Sequence, residues 1–166
     1  VYLRFRSPVG WMLAQPPQRA DLFITADNRY KLWVNGQFVA RGPARGWPHA
    51  QVVDCLDIAP YLQAGPNLLA VQVYQPGYSH FAYVHRGAAG LLAALICDGE
   101  TTLVTDESWR TCRDPAFASL TPRMSIYQAG VEQVDQKLAE DWMVAGFDDA
   151  GWAQARVVAP AYGYPW

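Results

Sequence analysis

A chain of 166 residues, 51% hydrophobic and 17% charged, is long enough to bury a core and too apolar to stay disordered. Its formal net charge of -2 excludes the basic footprint that nucleic acid or an anionic membrane surface demands. The 7 Trp, 9 Tyr and 6 Phe fit a β-rich core, and they equally supply rings for stacking on a sugar; composition does not separate the two.

The 3 cysteines, Cys55, Cys97 and Cys112, match no zinc or redox spacing and read as buried free thiols. No apolar run approaches transmembrane length, and no charged-then-apolar leader opens the chain. The abrupt start at Val1 and stop at Trp166 suggest a piece of a longer protein. A soluble protein, cytoplasmic or periplasmic, is expected, with the compartment left open.

Val1–Arg6 alternates weakly and is predicted as an opening strand. Ser7–Gln18, with Pro8, Gly10, Pro16 and Pro17, is predicted as a loop in which Trp11 and Met12 can pack inward. Ala20–Ala26 (ADLFITA) is a strand signal. In Tyr30–Ala40 two alternating runs flank Asn35-Gly36, the pair that best tolerates the two positive φ angles of a type I′ turn, so a tight hairpin is expected there. Asp27-Asn28 stands at its entrance and Gly42-Pro43 at its exit. Arg41–His49 (RGPARGWPH) is a loop.

Gln51–Leu56 is predicted as a short strand and Asp57–Leu62 as one helical turn with Asp57 as a possible N-cap. Leu68–Tyr74 (LLAVQVY), apolar on both faces, is expected at the centre of a sheet. Gln75–Gly87 is a loop rich in rings: Tyr78, His80, Phe81, Tyr83 and His85. Gly90–Asp98 and Thr101–Thr105 form a second hairpin about Asp98-Gly99, and Trp109–Arg113 is a further short strand. The spacing of Val131, Val134 and Leu138 predicts a helix within Val131–Met143. Phe147–Trp152 is expected to be a turn presenting both aromatics on one side, its acids Asp148 and Asp149 capping it, and Arg156–Val158 a last strand. Asn67 and Asp106 read as turn residues. Short strands between turn signals, with no helix–strand alternation and no repeat, predict an all-β antiparallel β-sandwich, one domain over 1–166.

In order and spacing, ADNRYKLWVNG, GPARG, DIAPYLQAGPNLLAVQVY, TDESWR and FDDAGW resemble the non-catalytic β-sandwich near the N-terminus of bacterial α-L-rhamnosidases, a jelly roll similar to galactose-binding domains. The resemblance covers about Ala20 to Trp152. It implies an accessory carbohydrate-binding domain of a glycoside hydrolase whose chemistry sits in a separate (α/α)6 barrel, or a purely structural domain bracing that barrel without a ligand. The partners it implies are an L-rhamnose-containing or related glycan and the other domains of the parent enzyme. The residues themselves hold no ready acid/base pair. A glycosidase sets two carboxylates across the scissile bond, whereas Asp106-Glu107, Glu140-Asp141 and Asp148-Asp149 are neighbours that point to opposite faces of a strand.

In some carbohydrate-binding domains that this one resembles, an acid and an amide at this hairpin entrance hold a calcium ion touching the sugar, which would make Asp27 and Asn28 metal and sugar ligands. Calcium wants six to eight oxygens, and the rest would come from the loops Arg41–Ala50 or Gln75–Gly87. The alternative is that Asp27 and Asn28 only open the hairpin. Trp47 offers a flat face for a sugar ring, or packs over an edge of the sandwich or on a neighbouring domain. Tyr78, with Tyr74, His80 and Tyr83, can line the same end. Arg29, Arg41 and Arg45 can bond sugar hydroxyls or grip a uronate carboxylate bidentately, or remain solvated. His80 and His85, five apart, would face opposite ways on a strand and so make a poor chelating pair.

Overall fold

A computed structural model describes residues 1–47, 49–85, 90–161 and 163. The strands run β1 Tyr2–Arg6, β2 Met12–Leu13, β3 Ala20–Ala26, β4 Arg29–Val34, β5 Gln37–Gly42, β6 Asp54–Asp57, β7 Gly65–Pro66, β8 Leu69–Tyr74, β9 Leu91–Cys97, β10 Glu100–Val104, β11 Arg110–Arg113 and β12 Ala153–Gln154. They form a 6-stranded sheet in the order β12-β11-β1-β8-β4-β5, a 4-stranded sheet β10-β9-β3-β6 and a 2-stranded ribbon β2-β7, all antiparallel. The fold is an antiparallel β-sandwich with no α-helix among the described residues.

Alternation decides which side chains meet between the sheets. Leu22 and Ile24 of β3, and Ala93 and Leu95 of β9, face Tyr30, Leu32 and Val34 of β4 and Leu69, Val71 and Val73 of β8 across one core. Trp109 closes that core, its indole N–H donating to the Val104 carbonyl at 2.8 Å. The two hairpin turns have the predicted geometry: φ is 50° at Asn35 and 82° at Gly36, and 49° at Asp98 and 91° at Gly99. The first hairpin carries a bulge, since Leu32 pairs with Ala40 while Trp33 pairs with Phe38.

The other face of the larger sheet is also covered. β8 lies between β1 and β4, as its two apolar faces predict. Its Ala70 belongs to a second cluster with Leu68 and Trp142, against which Trp33, Met143, Phe147 and Trp152 pack. This cover is an irregular arm running over residues 132–152. Two arginines of β1 hold it. Arg4 pairs with Asp114 at 2.7 Å and Glu140 at 2.6 Å, and its guanidinium lies 5.3 Å from the Trp142 ring centroid. Arg6 pairs with Asp149 at 2.7 Å and donates to the carbonyls of Trp142 and Val144. Both arginines are 1% exposed. Buried guanidiniums persist only when carboxylates and carbonyls surround them, and Asp114 together with the arm supplies these.

Several expectations need correction. Val131–Met143 is not a helix: it has only a 3-10 turn at Gln136–Leu138, and Val131, Val134 and Leu138 are exposed, so their helical spacing marks no buried face. The last strand is Ala153–Gln154, not Arg156–Val158, because the Ala153 and Gln154 backbone pairs with Thr111 and Arg110. The strand expected at Gln51–Leu56 begins at Asp54 and runs to Asp57. The helical turn is the 3-10 segment Ala59–Tyr61; Asp57 accepts from the Ala59 N–H at 3.0 Å, but Ile58 occupies the cap position. Trp11 packs inward and Met12 does not. Of the cysteines only Cys97 is buried, while Cys55 is exposed and Cys112 half-buried; all are free. Asp149 is the carboxylate partner of Arg6 rather than a turn cap, and Asp148 does the capping, accepting from Ala150 at 3.0 Å. Asn67 is buried, and its amide joins Asn35, Gln63 and Gly65.

Candidate functional site

The register of the sandwich brings the ends of β3, β5 and β8 and the starts of β4 and β9 to one rim. Asp27, Asn28, Arg41 and Trp47 line a single open hollow there, of about 1340 Å³. Tyr78 does not reach its wall. Instead its ring lies under the Arg123 guanidinium, 5.1 Å from ring centroid to cation, and against His80 at 6.3 Å.

At the floor, Asp27 is 7% exposed. Its Oδ2 accepts from Gln75 Nε2 at 2.8 Å and from the Tyr83 hydroxyl. His85 Nδ1 stands 3.5 Å from both Gln75 Nε2 and the Tyr83 hydroxyl. The loop after β8 is therefore tied to the hairpin entrance through the Asp27 carboxylate. His80 and His85 lie on that loop, not on a strand, and both rings approach Tyr83, at 5.7 and 6.3 Å between centroids. Burial, helped by the charges of Arg123, Arg29 and Arg45, lowers the His80 pKa.

The arginines rise from the strand ends. Arg29 opens β4 and sits 5.0 Å over the Tyr74 ring, with its Nε donating to the side-chain Oδ1 of Asn28 at 3.2 Å. Arg41 is next to last in β5, and Arg45 follows in the loop. Gly42 is required between them: a Cβ there would fall 2.0 Å from Asp54 Oδ2, the carboxylate that takes the Tyr30 hydroxyl. Burial and that hydrogen bond raise the Tyr30 pKa.

Trp47 forms one side wall. It is 71% exposed, pairs through its carbonyl with the Ala50 N–H at 2.9 Å, and lies nearly parallel to the His49 ring, the centroids 6.5 Å apart. A further part of the lining comes from two loops far apart in sequence. Phe81 meets Tyr127 edge-to-face at 5.0 Å. Beside them Glu132 accepts from the Tyr2 hydroxyl, which anchors this part to β1. Sequence reasoning missed Tyr127 and Glu132, because nothing periodic marks the irregular segment that carries them.

Of the proposed calcium ligands, Asp27 turns its Oδ2 to an amide N–H and a phenol O–H, and no group of three or more His, Cys, Asp or Glu could hold a metal among the described residues. Other carboxylates serve elsewhere: Glu140 and Asp149 pair with arginines, and Asp106 accepts from the Ser108 N–H at 2.8 Å. No helix among the described residues is long and apolar enough to cross a membrane.

The family model for the α-L-rhamnosidase N-terminal domain matches residues 15–163. A GH78 family rhamnosidase of Bacillus sp. GL1 is similar in structure, with a TM-score of 0.88 and 44% identity over 99% of this chain and 17% of that one. An α-L-rhamnosidase of Streptomyces avermitilis is 29% identical over 154 residues, 89% of this chain and 12% of the relative, so the chain spans only a small part of that protein. A lectin from Pleurotus ostreatus in complex with GalNAc shares the fold, with a TM-score of 0.56 and 21% identity over 92% of this chain and 36% of that one. The chain belongs to the α-L-rhamnosidase N-terminal domain family.

Proposed function

We propose that this chain is the carbohydrate-binding domain of an α-L-rhamnosidase-family glycoside hydrolase, and that the hollow beside Asp27 holds a sugar such as L-rhamnose. The observation that carries this reading is the hollow itself, which the exposed Trp47 lines together with Arg41 and Asn28. A sugar ring has an apolar C–H face and a polar rim, so an aromatic plate with planar donors beside it suits both. A crystal structure of the Streptomyces avermitilis enzyme, 26% identical with a TM-score of 0.63, is complexed with L-rhamnose, which agrees with this ligand class.

Binding on this reading is independent of calcium, since Asp27 is held by Gln75 and Tyr83 and organises the floor. Asp27 and Asn28 then serve the sugar through hydrogen bonding and shape. Calorimetric titration with L-rhamnose tests it: heat should persist in EDTA and be lost in Trp47→Ala.

A second reading has one observation in its favour. Phe81, Met124, Ile126 and Tyr127 are all strongly exposed, Phe81 at 77%, and so offer an apolar ridge to another domain of the parent enzyme. Bracing then accompanies sugar binding or replaces it. Absence of heat with a broad sugar panel, together with tight association with the rest of the parent enzyme through this ridge, would favour bracing alone.

A further inference from the structure

We propose that the hollow takes an acidic oligosaccharide, with a uronate carboxylate gripped by Arg41 and Arg45 while another sugar of the same ligand lies on Trp47. The proposal rests on the sugar-binding reading of this site and names its ligand class. Its first ground is charge placement. Arg29, Arg41 and Arg45 all line the hollow in a chain whose net charge is -2, so positive charge is gathered here against the overall balance. None of the three is in an ion pair among the described residues, whereas Arg4, Arg6 and Arg19 all are.

The carboxylates that share the wall, two against three arginines, form no ion pair with them among the described residues. Asp27 faces Gln75 and Tyr83, and Glu132 faces the Tyr2 hydroxyl. Arg29 is steadied by the Tyr74 face and Asn28, while Arg41 and Arg45 are exposed at the rim. A guanidinium presents paired N–H groups that match a carboxylate bidentately, a geometry that a neutral hydroxyl uses less well. The lowered proton affinity of His80, due first to burial and then to Arg123, Arg29 and Arg45, agrees with a positive field across the hollow. Size is the second ground. About 1340 Å³ exceeds the roughly 300–1,000 Å³ usual for a single small ligand, which leaves room for more than one sugar ring.

The test is a titration of the 166-residue chain with three probes: L-rhamnose, the trimer of D-galacturonate, and that trimer as its methyl ester. In about 50 mM salt the acid trimer is expected to bind about tenfold tighter than the ester, and the advantage should collapse near 500 mM, where the Debye length falls to a few ångströms. The double substitution Arg41→Gln/Arg45→Gln should erase the preference with its melting temperature unchanged, because both side chains are exposed. Arg41→Lys keeps the charge and should lose the preference only in part. In proton NMR the acid trimer should raise the His80 pKa toward its ordinary 6.5, and the ester should not.

Equal affinity for acid and ester, with L-rhamnose still bound, overturns the acidic ligand and leaves the sugar site standing. A preference that survives the double substitution overturns the arginine assignment. Silence with all three probes overturns both readings.

Discussion

Replacing Arg6 with alanine should detach the arm that covers the larger sheet. The guanidinium is 1% exposed and serves Asp149 Oδ2 at 2.7 Å, the carbonyls of Trp142 and Val144, and the Phe147 ring at 5.5 Å. Its loss would leave the Asp149 carboxylate, 7% exposed, buried without its counter-charge. Breaking a buried pair from one side costs about 3–5 kcal/mol. For a domain of this size 1 kcal/mol moves the midpoint by about 2–4 °C, so Tm should fall by roughly 6–20 °C. Urea unfolding gives the free energy, and limited proteolysis shows whether new cuts fall within residues 132–152. The double substitution Arg6→Met/Asp149→Leu should cost less than the two single changes summed, since no orphaned charge is left. A loss below about 1 kcal/mol in Arg6→Ala, with the arm as protected as before, would refute the assignment of the clasp.

Other consequences are equally direct. Gly42→Ala should cost about 1–3 kcal/mol and break the Tyr30–Asp54 hydrogen bond, because its Cβ would meet Asp54 Oδ2 at 2.0 Å; urea unfolding measures the loss, and near-ultraviolet tyrosine signals report the bond. Asn67→Ala removes the acceptor for Gln63 N and Asn35 Nδ2 and the donor to Gln63 O, all at 3.0 Å or less, and should cost about 2–4 kcal/mol in chemical denaturation. Stability should decline above about pH 9. Burial pushes the Cys112 thiol from 9.0 up to about 11, so the unfolded chain releases its proton first and stability is lost as pH climbs from 9 to 11. Cys112→Ala should flatten the start of that decline in a pH series of melting curves, while burial of Tyr2 and Tyr30, which raises both phenols, sustains the loss at higher pH.

How far the sequence discloses this molecule depends on where each residue's partners lie. Ala20–Ala26 reads as a strand because its alternation is set by one buried face, and Asn35-Gly36 and Asp98-Gly99 read as turns because positive φ restricts the residue types. Leu69–Tyr74 declares itself central, since apolar residues on both faces need cover on both sides. The arm declares nothing: it is anchored through backbone carbonyls and isolated carboxylates that answer Arg4 and Arg6 from more than 100 residues away. Two arginines facing inward on a strand look like an ordinary polar face until the arm is placed. The site divides the same way. Asp27, Asn28, Arg41 and Trp47 are marked by the hairpin they flank, and they meet at one hollow. Tyr78 has the right composition and the wrong direction, while Tyr127 and Glu132 arrive on a segment without periodicity.

The central claim, that the hollow beside Asp27 is a sugar site organised without calcium, is tested most directly by titrating the chain with L-rhamnose with and without EDTA, alongside Trp47→Ala. The account predicts the same heat in both buffers and its loss in Trp47→Ala, with melting unchanged because that side chain is 71% exposed. Heat that vanishes in EDTA, or that survives Trp47→Ala in full, would contradict it.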